Sequence, residues 1–198
     1  MPDSAGSRPM AVPPPLGRNA MFRTILKYGV IAGLIVGAFQ IGIFTAFDGM
    51  PPLTFGMLIG YTTMLIAMSA VFVGIKQHRD VDRGGVIGFL PAFAVGLGVS
   101  FIAGVFYVIA WEVVQATTQM DFAAAYAQAI IASAKADGAS AEALATLTAD
   151  METFKVQYAD PLIRLPMTFV EIFPVGVLVS MVSAGLLRNS RFLPARRG

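Results

Sequence analysis

The sequence predicts an all-α membrane protein: four transmembrane helices with an extracytoplasmic helical hairpin between spans three and four. Three observations predict it. Of 198 residues, 56% are hydrophobic and only 13% are charged, against about 25% charged in a soluble domain. Four apolar runs each reach the roughly 20 residues that cross a ~30 Å hydrocarbon layer. One substantial polar segment, Met120 to Arg164, separates the last two runs. A chain of this length cannot hide so much apolar side chain in one soluble core, so much of it faces lipid. A soluble enzyme, a nucleic-acid binder and a disordered protein do not fit this composition.

The spans fall at about 28–47, 53–75, 86–114 and 165–187, inside a membrane domain of residues 21–190. Helix is their state, because they lack the ten-residue alternation of a membrane barrel. Residues 1–20 carry five prolines and two glycines and read as a disordered cytoplasmic tail. Residues 191–198 read as a short basic tail. The first span is longer than the ~7–15 residues of a signal core and no A-x-A site follows it, so it is expected to stay uncleaved.

Direction follows from the bases. Eleven of the fourteen Lys and Arg lie before span one, between spans two and three, or after span four; Lys135, Lys155 and Arg164 are the other three. The positive-inside rule then puts both termini and the KQHRDVDRGG segment in the cytoplasm. That segment reads as a solvated topological anchor, since it has no phosphate-loop pattern.

The polar segment has its own signals. Asp121 caps a helix to about Ala136, Asp137–Gly138 breaks it, Ser140 caps a second helix, and Asp160–Pro161 ends that one. Leu144, Leu147, Met151, Phe154 and Tyr158 form one apolar stripe, and Phe122, Tyr126 and Ile130 another. Two such helices, spanning 120–160, are expected to pack on each other as a cap over the outer mouth of the bundle.

Small residues recur every four positions in each span. The packing candidates are Gly29, Gly33 and Gly37 in span one, Gly96 and Gly104 in span three, and Gly176 in span four. In lipid, close backbone contact at such residues carries helix association.

Chemical candidates are few. With no cysteine and one histidine, His78, no thiolate site and no two-His zinc site can form. No catalytic residue, metal or cofactor is expected. Three polar groups remain as candidate intramembrane sites: Gln40, Glu112 and Glu171. Glu112 sits beside Trp111 and near Tyr107, in what reads as an interfacial aromatic belt, and is expected to reach water. Glu171 is the sharper case, because an acid within a span costs about 2.5–3.5 kcal/mol and such residues face protein or water. Arg164, seven residues earlier on the same helix face, is its candidate partner, and a structural role for the acid is favoured. On an ideal helix Ser180 lies about 180° from Glu171, which puts protein on two sides of span four and favours a partner or a homo-oligomer.

Several stretches also resemble a known family. They are MFRTILKYGVIAGLIVG, VFVGIKQHRDVDRGGVIGF with its GIK-x-x-RD, METFKVQYADPL, and MTFVEIFPVGVLVSMVSAGLLR with its EIFPVG. These are similar to a bacterial family of uncharacterised four-span integral membrane proteins, a domain-of-unknown-function family, over about Met21 to Arg188. The resemblance implies a bacterial inner-membrane setting and the same four-span layout. It carries no activity, cofactor or catalytic residue onto this chain.

The functional expectation is a small non-enzymatic accessory or scaffold protein. Its partners are the bilayer and a homo-oligomer or larger membrane complex, not nucleic acid. The alternative is an oligomeric transporter or channel using Glu171 as a proton or cation site.

Overall fold

Lipid offers the backbone no hydrogen-bond partner, so each apolar run satisfies its amides internally as a helix. The computed structural model describes residues 17–47 and 50–195. Six α-helices follow in order: α1 (Gly17–Ala46), α2 (Leu53–Gln77), α3 (Phe89–Thr118), α4 (Phe122–Ala136), α5 (Ala141–Ala159) and α6 (Pro161–Leu187). Four stretches are long and apolar enough to span a bilayer: Asn19–Ala46, Leu53–Asp82, Phe89–Thr118 and Pro161–Leu187. Their outward faces carry Leu34, Leu65, Ile66, Leu178 and Val182, all exposed, as a lipid-facing surface requires. The chain is a multi-pass membrane protein.

The span edges differ from expectation for local reasons. The expected tail over 1–20 lies outside the described residues as far as residue 16, and from Gly17 onward the chain is already helical. This early turn persists because Met21, Ile25 and Tyr28 pack on the core and give α1 an inward face before its apolar run begins. The third helix starts later than expected, at Phe89, because Gly84 and Gly85 adopt positive φ values of 63° and 91°. The fourth starts earlier, since Asp160 caps it and Pro161 occupies its first turn. Residues 48–49 of the first turn and 196–198 of the basic tail lie outside the described residues.

The spans form a ring in which α1 packs on α3, α3 on α6, α6 on α2 and α2 on α1. Glycines set the spacing. A Cβ added at Gly29 would lie 2.5 Å from the Ile102 Cβ, one at Gly33 2.5 Å from the Phe106 Cβ, and one at Gly37 3.1 Å from the Ala110 Cβ. The next seam is reciprocal: a Cβ at Gly96 would meet Ser180 at 2.7 Å, and one at Gly176 would meet Ser100 at 2.6 Å. The two serine hydroxyls are 3.2 Å apart. Gly104 receives the edge of the Phe169 ring. In α2, a Cβ at Gly74 would meet the Tyr28 ring at 3.1 Å, but nothing lies within 4 Å of a Cβ at Gly60.

The charged segment after α2 is not a solvated anchor. Its first residues continue the helix as a π-helical turn, His78–Asp82, and Arg79 is fully buried. Its guanidinium donates to the Phe192 carbonyl at 2.9 Å, the Leu193 carbonyl at 2.5 Å and, more loosely, the Leu187 carbonyl at 3.4 Å. Its Nε donates to Asp80 at 2.6 Å, and Lys76 holds the other oxygen of that carboxylate. Burial is tolerated because one planar fork satisfies the bare carbonyls at and beyond the C-terminus of α6. His78 is buried too, with Nδ1 2.8 Å from Asp82. Tyr28 donates to Gln77 and ties α1 to the same end.

Gly29→Ala is expected to destabilise the protein by about 1–3 kcal/mol, because the Ile102 Cβ it meets cannot swing aside. Gly42→Ala on the same helix meets nothing within 4 Å. It is expected to be neutral or to stabilise by up to about 1 kcal/mol through helix propensity. Unfolding in detergent by SDS titration, followed by circular dichroism, measures both. Equal effects would remove the α1–α3 seam as the source of the close packing.

Candidate functional site

The caps expected at Asp121 and Ser140 form, and Asp160, expected only to end the second helix, also caps α6. Asp121 accepts from the Ala124 amide at 3.0 Å, Ser140 from the Ala143 amide at 3.2 Å, and Asp160 from the Leu162 amide at 2.9 Å. The resulting α4–α5 hairpin lies over one end of the bundle and turns its aromatic side inward. Phe122 stacks on Tyr126 and meets Tyr158; Phe154 touches both tyrosines, with ring centroids 5.2–5.7 Å apart throughout. Trp111 of α3 meets Phe122 at 4.7 Å and Phe44 of α1 at 5.1 Å, both edge-on. Tyr107 and Trp111, read from the sequence as an interfacial belt, are therefore internal, at 7% and 5% exposure.

Beneath this aromatic roof is a cavity of about 450 Å³, within the range of small-molecule sites. Its walls are Val36, Gln40 and Phe44 of α1, Gly60, Tyr61 and Met64 of α2, Tyr107 and Trp111 of α3, and Thr168 and Glu171 of α6. Gly56 and Gly60 line it as well, and at Gly60, where nothing lies within 4 Å of an added Cβ, the small residue makes room rather than contact. Phe39, Met57, Tyr61, Met167 and Glu171 are both lining and exposed, so the cavity opens to the outer surface of the bundle.

The three polar candidates have separate settings. Glu171 accepts a hydrogen bond from the Tyr107 hydroxyl at 3.0 Å on one oxygen. Its other oxygen accepts none among the described residues. Gln40 lines the same cavity at 8% exposure, and its Oε1 has no partner among the described residues. Glu112 is elsewhere: Arg164 grips it with Nε at 2.8 Å and Nη2 at 2.7 Å. That corrects two expectations. Glu112 is half-buried in a forked ion pair rather than simply solvated, and Arg164 serves Glu112 rather than Glu171. Seven residues along one helix is a rise of about 10 Å, whereas the end of α3 lies directly beside Arg164.

The two opposed faces of span four have different settings. Ser180 packs into the α3 seam, and Glu171 turns to Tyr107 and the cavity. Sequence reasoning did not single out Tyr61 and Thr168, and it read Gly60 as a close-packing residue, whereas it lines the cavity. Each is an ordinary residue of an apolar run, and only the divergence of α2 gives it a role. Among the described residues no group of three His, Cys, Asp or Glu side chains is placed to hold a metal ion.

The hairpin is tied to the bundle by polar contacts as well. The Trp111 indole N–H donates to the Tyr158 hydroxyl at 2.6 Å, and Arg164 donates to the Tyr158 carbonyl at 3.3 Å. Burial pushes the Tyr158 phenol up to about 12, against the pull of the Trp111 N–H and the Arg164 charge. Between pH 10 and 12 the unfolded chain releases this proton and the folded chain keeps it. Its stabilising contribution is therefore complete below pH 10 and is lost as pH rises towards 12, a loss of about 2–3 kcal/mol. Tyr158→Phe is expected to lower stability at neutral pH, by stranding the indole N–H, yet to flatten the alkaline decline. Unfolding free energies on either side of pH 10, for both proteins, test this; parallel declines would refute it.

A protein-family model described as "Protein of unknown function (DUF4199)" matches residues 27–189. No curated protein and no solved structure matches the chain. The matched region runs from within α1, ten residues past its start, to just past the end of α6, well over half of the chain, and takes in the rest of the bundle, the hairpin and the cavity. The resemblance seen in the GIK-x-x-RD and EIFPVG segments thus extends to the whole folded unit, and the chain belongs to the DUF4199 family of proteins of unknown function.

Proposed function

We propose that this protein is a non-enzymatic carrier of the bacterial inner membrane that takes a small, largely apolar molecule into the cavity beneath its α4–α5 hairpin. The observation that carries the reading is the convergence of the Tyr107–Glu171 pair and the unpartnered Gln40 amide on one 450 Å³ space with aromatic walls. An acid in a span is retained against its insertion cost, and here it faces a space that a ligand can fill. The non-enzymatic part is supported by the lining itself, which contains no histidine or cysteine; the one histidine, His78, lies at the far end of α2. The accessory or scaffold reading drew on the small-residue stripes. Those of α1, α3 and α6 find their partners within the chain, which favours the transporter alternative.

Orientation follows the charge asymmetry, with both termini and the π-helical turn in the cytoplasm and the hairpin outside. Because the chain has no cysteine, single reporters are clean. Ala139→Cys is expected to react with an impermeant thiol reagent on intact spheroplasts, and Val81→Cys, at an exposed position, only after lysis. Labelling of Val81→Cys alone in intact spheroplasts would invert the topology.

The carrier reading is tested by filling the cavity. Gly60→Leu adds a side chain where nothing lies within 4 Å, so the fold is expected to keep its melting temperature. After extraction into lipid nanodiscs, mass spectrometry of retained small molecules is expected to find one in the wild-type protein that is missing from Gly60→Leu. Equal retention, or none in either, would return the scaffold reading to the lead.

A further inference from the structure

The charge inventory of the cavity narrows its ligand. Among the described residues its lining has one carboxyl group and no Lys, Arg or His. The nearest base along α6, Arg164, has its fork committed to Glu112 by two hydrogen bonds. Glu171 keeps one oxygen without a partner among the described residues, and the Tyr107 hydroxyl, which donates to the other, holds the carboxyl in place. Gln40, more than nine-tenths buried, adds an Oε1 with no partner among the described residues. The bare Gln40 acceptor is costly because it is buried, and Glu171, exposed at the cavity opening, has no counter-charge among the described residues. What completes this site is therefore a donor that carries positive charge. The rest of the wall is aromatic, with Trp111, Tyr61 and the roof rings Phe122 and Phe154, and such faces attract a cation while covering apolar bulk. An anionic ligand meets Glu171 with no base to offset it.

On the cavity reading above, we propose that the ligand is a lipophilic amine, its ammonium hydrogen-bonded to Glu171 and its apolar body against the Trp111 wall. The exposed rim residues Met57, Tyr61 and Met167 are apolar or aromatic, so such an amphiphile reaches the acid from the bilayer. The Gln40 amide takes a second hydrogen bond from the ammonium or from a polar substituent beside it.

Trp111 is the chain's single tryptophan and lines the cavity, so its fluorescence reports occupancy. The probe is 4-(4-bromophenyl)butylamine, whose bromine quenches indole on contact. Its alcohol and carboxylic acid isosteres share the apolar body without the positive charge. In phosphatidylcholine nanodiscs the amine is expected to quench saturably. Both isosteres, and the amine with Glu171→Gln, are expected to bind at least about tenfold more weakly, the loss of one charge-assisted contact. Saturable quenching is expected to vanish in Gly60→Leu, which also measures simple partition into the bilayer. If the alcohol matches the amine, or Glu171→Gln binds the amine as the wild type does, the ammonium assignment is overturned. Loss in Gly60→Leu would in that case still uphold the cavity. Quenching unchanged by Gly60→Leu would overturn both.

Discussion

Between helices in lipid there is almost no hydrophobic drive, because the tails around them are as apolar as leucine. Close contact has to come from backbones that approach nearer than side chains normally allow. Here that approach is made at Gly29, Gly33 and Gly37 against α3, and at Gly96 and Gly176 against the serines of the facing helix. Both seams involve α3, which makes it the axis of the fold. The α2 helix has no comparable seam in its first half. It packs well from Met64 onward, where Met64, Ala67, Met68, Val71 and Ile75 are buried, and stands away before that, where a Cβ at Gly60 would meet nothing within 4 Å. The cavity is the geometric remainder of that uneven packing, and the hairpin covers it because its aromatic stripe has nowhere else to be buried.

Polar groups are distributed by what they can find. At one end the Arg79 fork meets carbonyls that α6 leaves bare, and at the other the Arg164 fork meets Glu112. Each cation has several acceptors of matched geometry, which is what makes its withdrawal from water tolerable. Glu171 has a single protein donor. The contrast singles it out: the other acids near the bundle, Asp80 and Glu112, carry their counter-charges with them.

The parts of this fold that a reader of the sequence can see are those set by short-range rules. Hydropathy over twenty residues marks the spans, and Asp121 and Ser140 mark the starts of the hairpin helices, because cap and helix are neighbours in the chain. The small residues facing α3 were visible as a spacing, though not which helix each would meet. The pairing of charges was not visible. Arg164 had two acids to choose from, and periodicity favoured the one on its own helix, while the chosen one lies 52 residues away. Burial of Arg79 was hidden for the same reason, since a charged stretch after a span looks the same whether water or α6 receives it. The cavity left only the trace of Gly60, a small residue whose neighbourhood is empty instead of tight.

The Arg79 fork has a consequence for how the protein is made. The guanidinium is synthesised 108 to 114 residues before the carbonyls that receive it. At about 5–20 residues per second, that is a wait of roughly 5–20 s. Throughout that interval the charge has no acceptor from α6 and stays hydrated at the membrane surface. It can leave water only once the last span has been threaded and its end has come back to the same side. Withdrawal of Arg79 is thus a check on the completed insertion: a chain whose fourth span is absent or reversed keeps a hydrated arginine at that surface, and with it a half-formed bundle that membrane proteases can recognise.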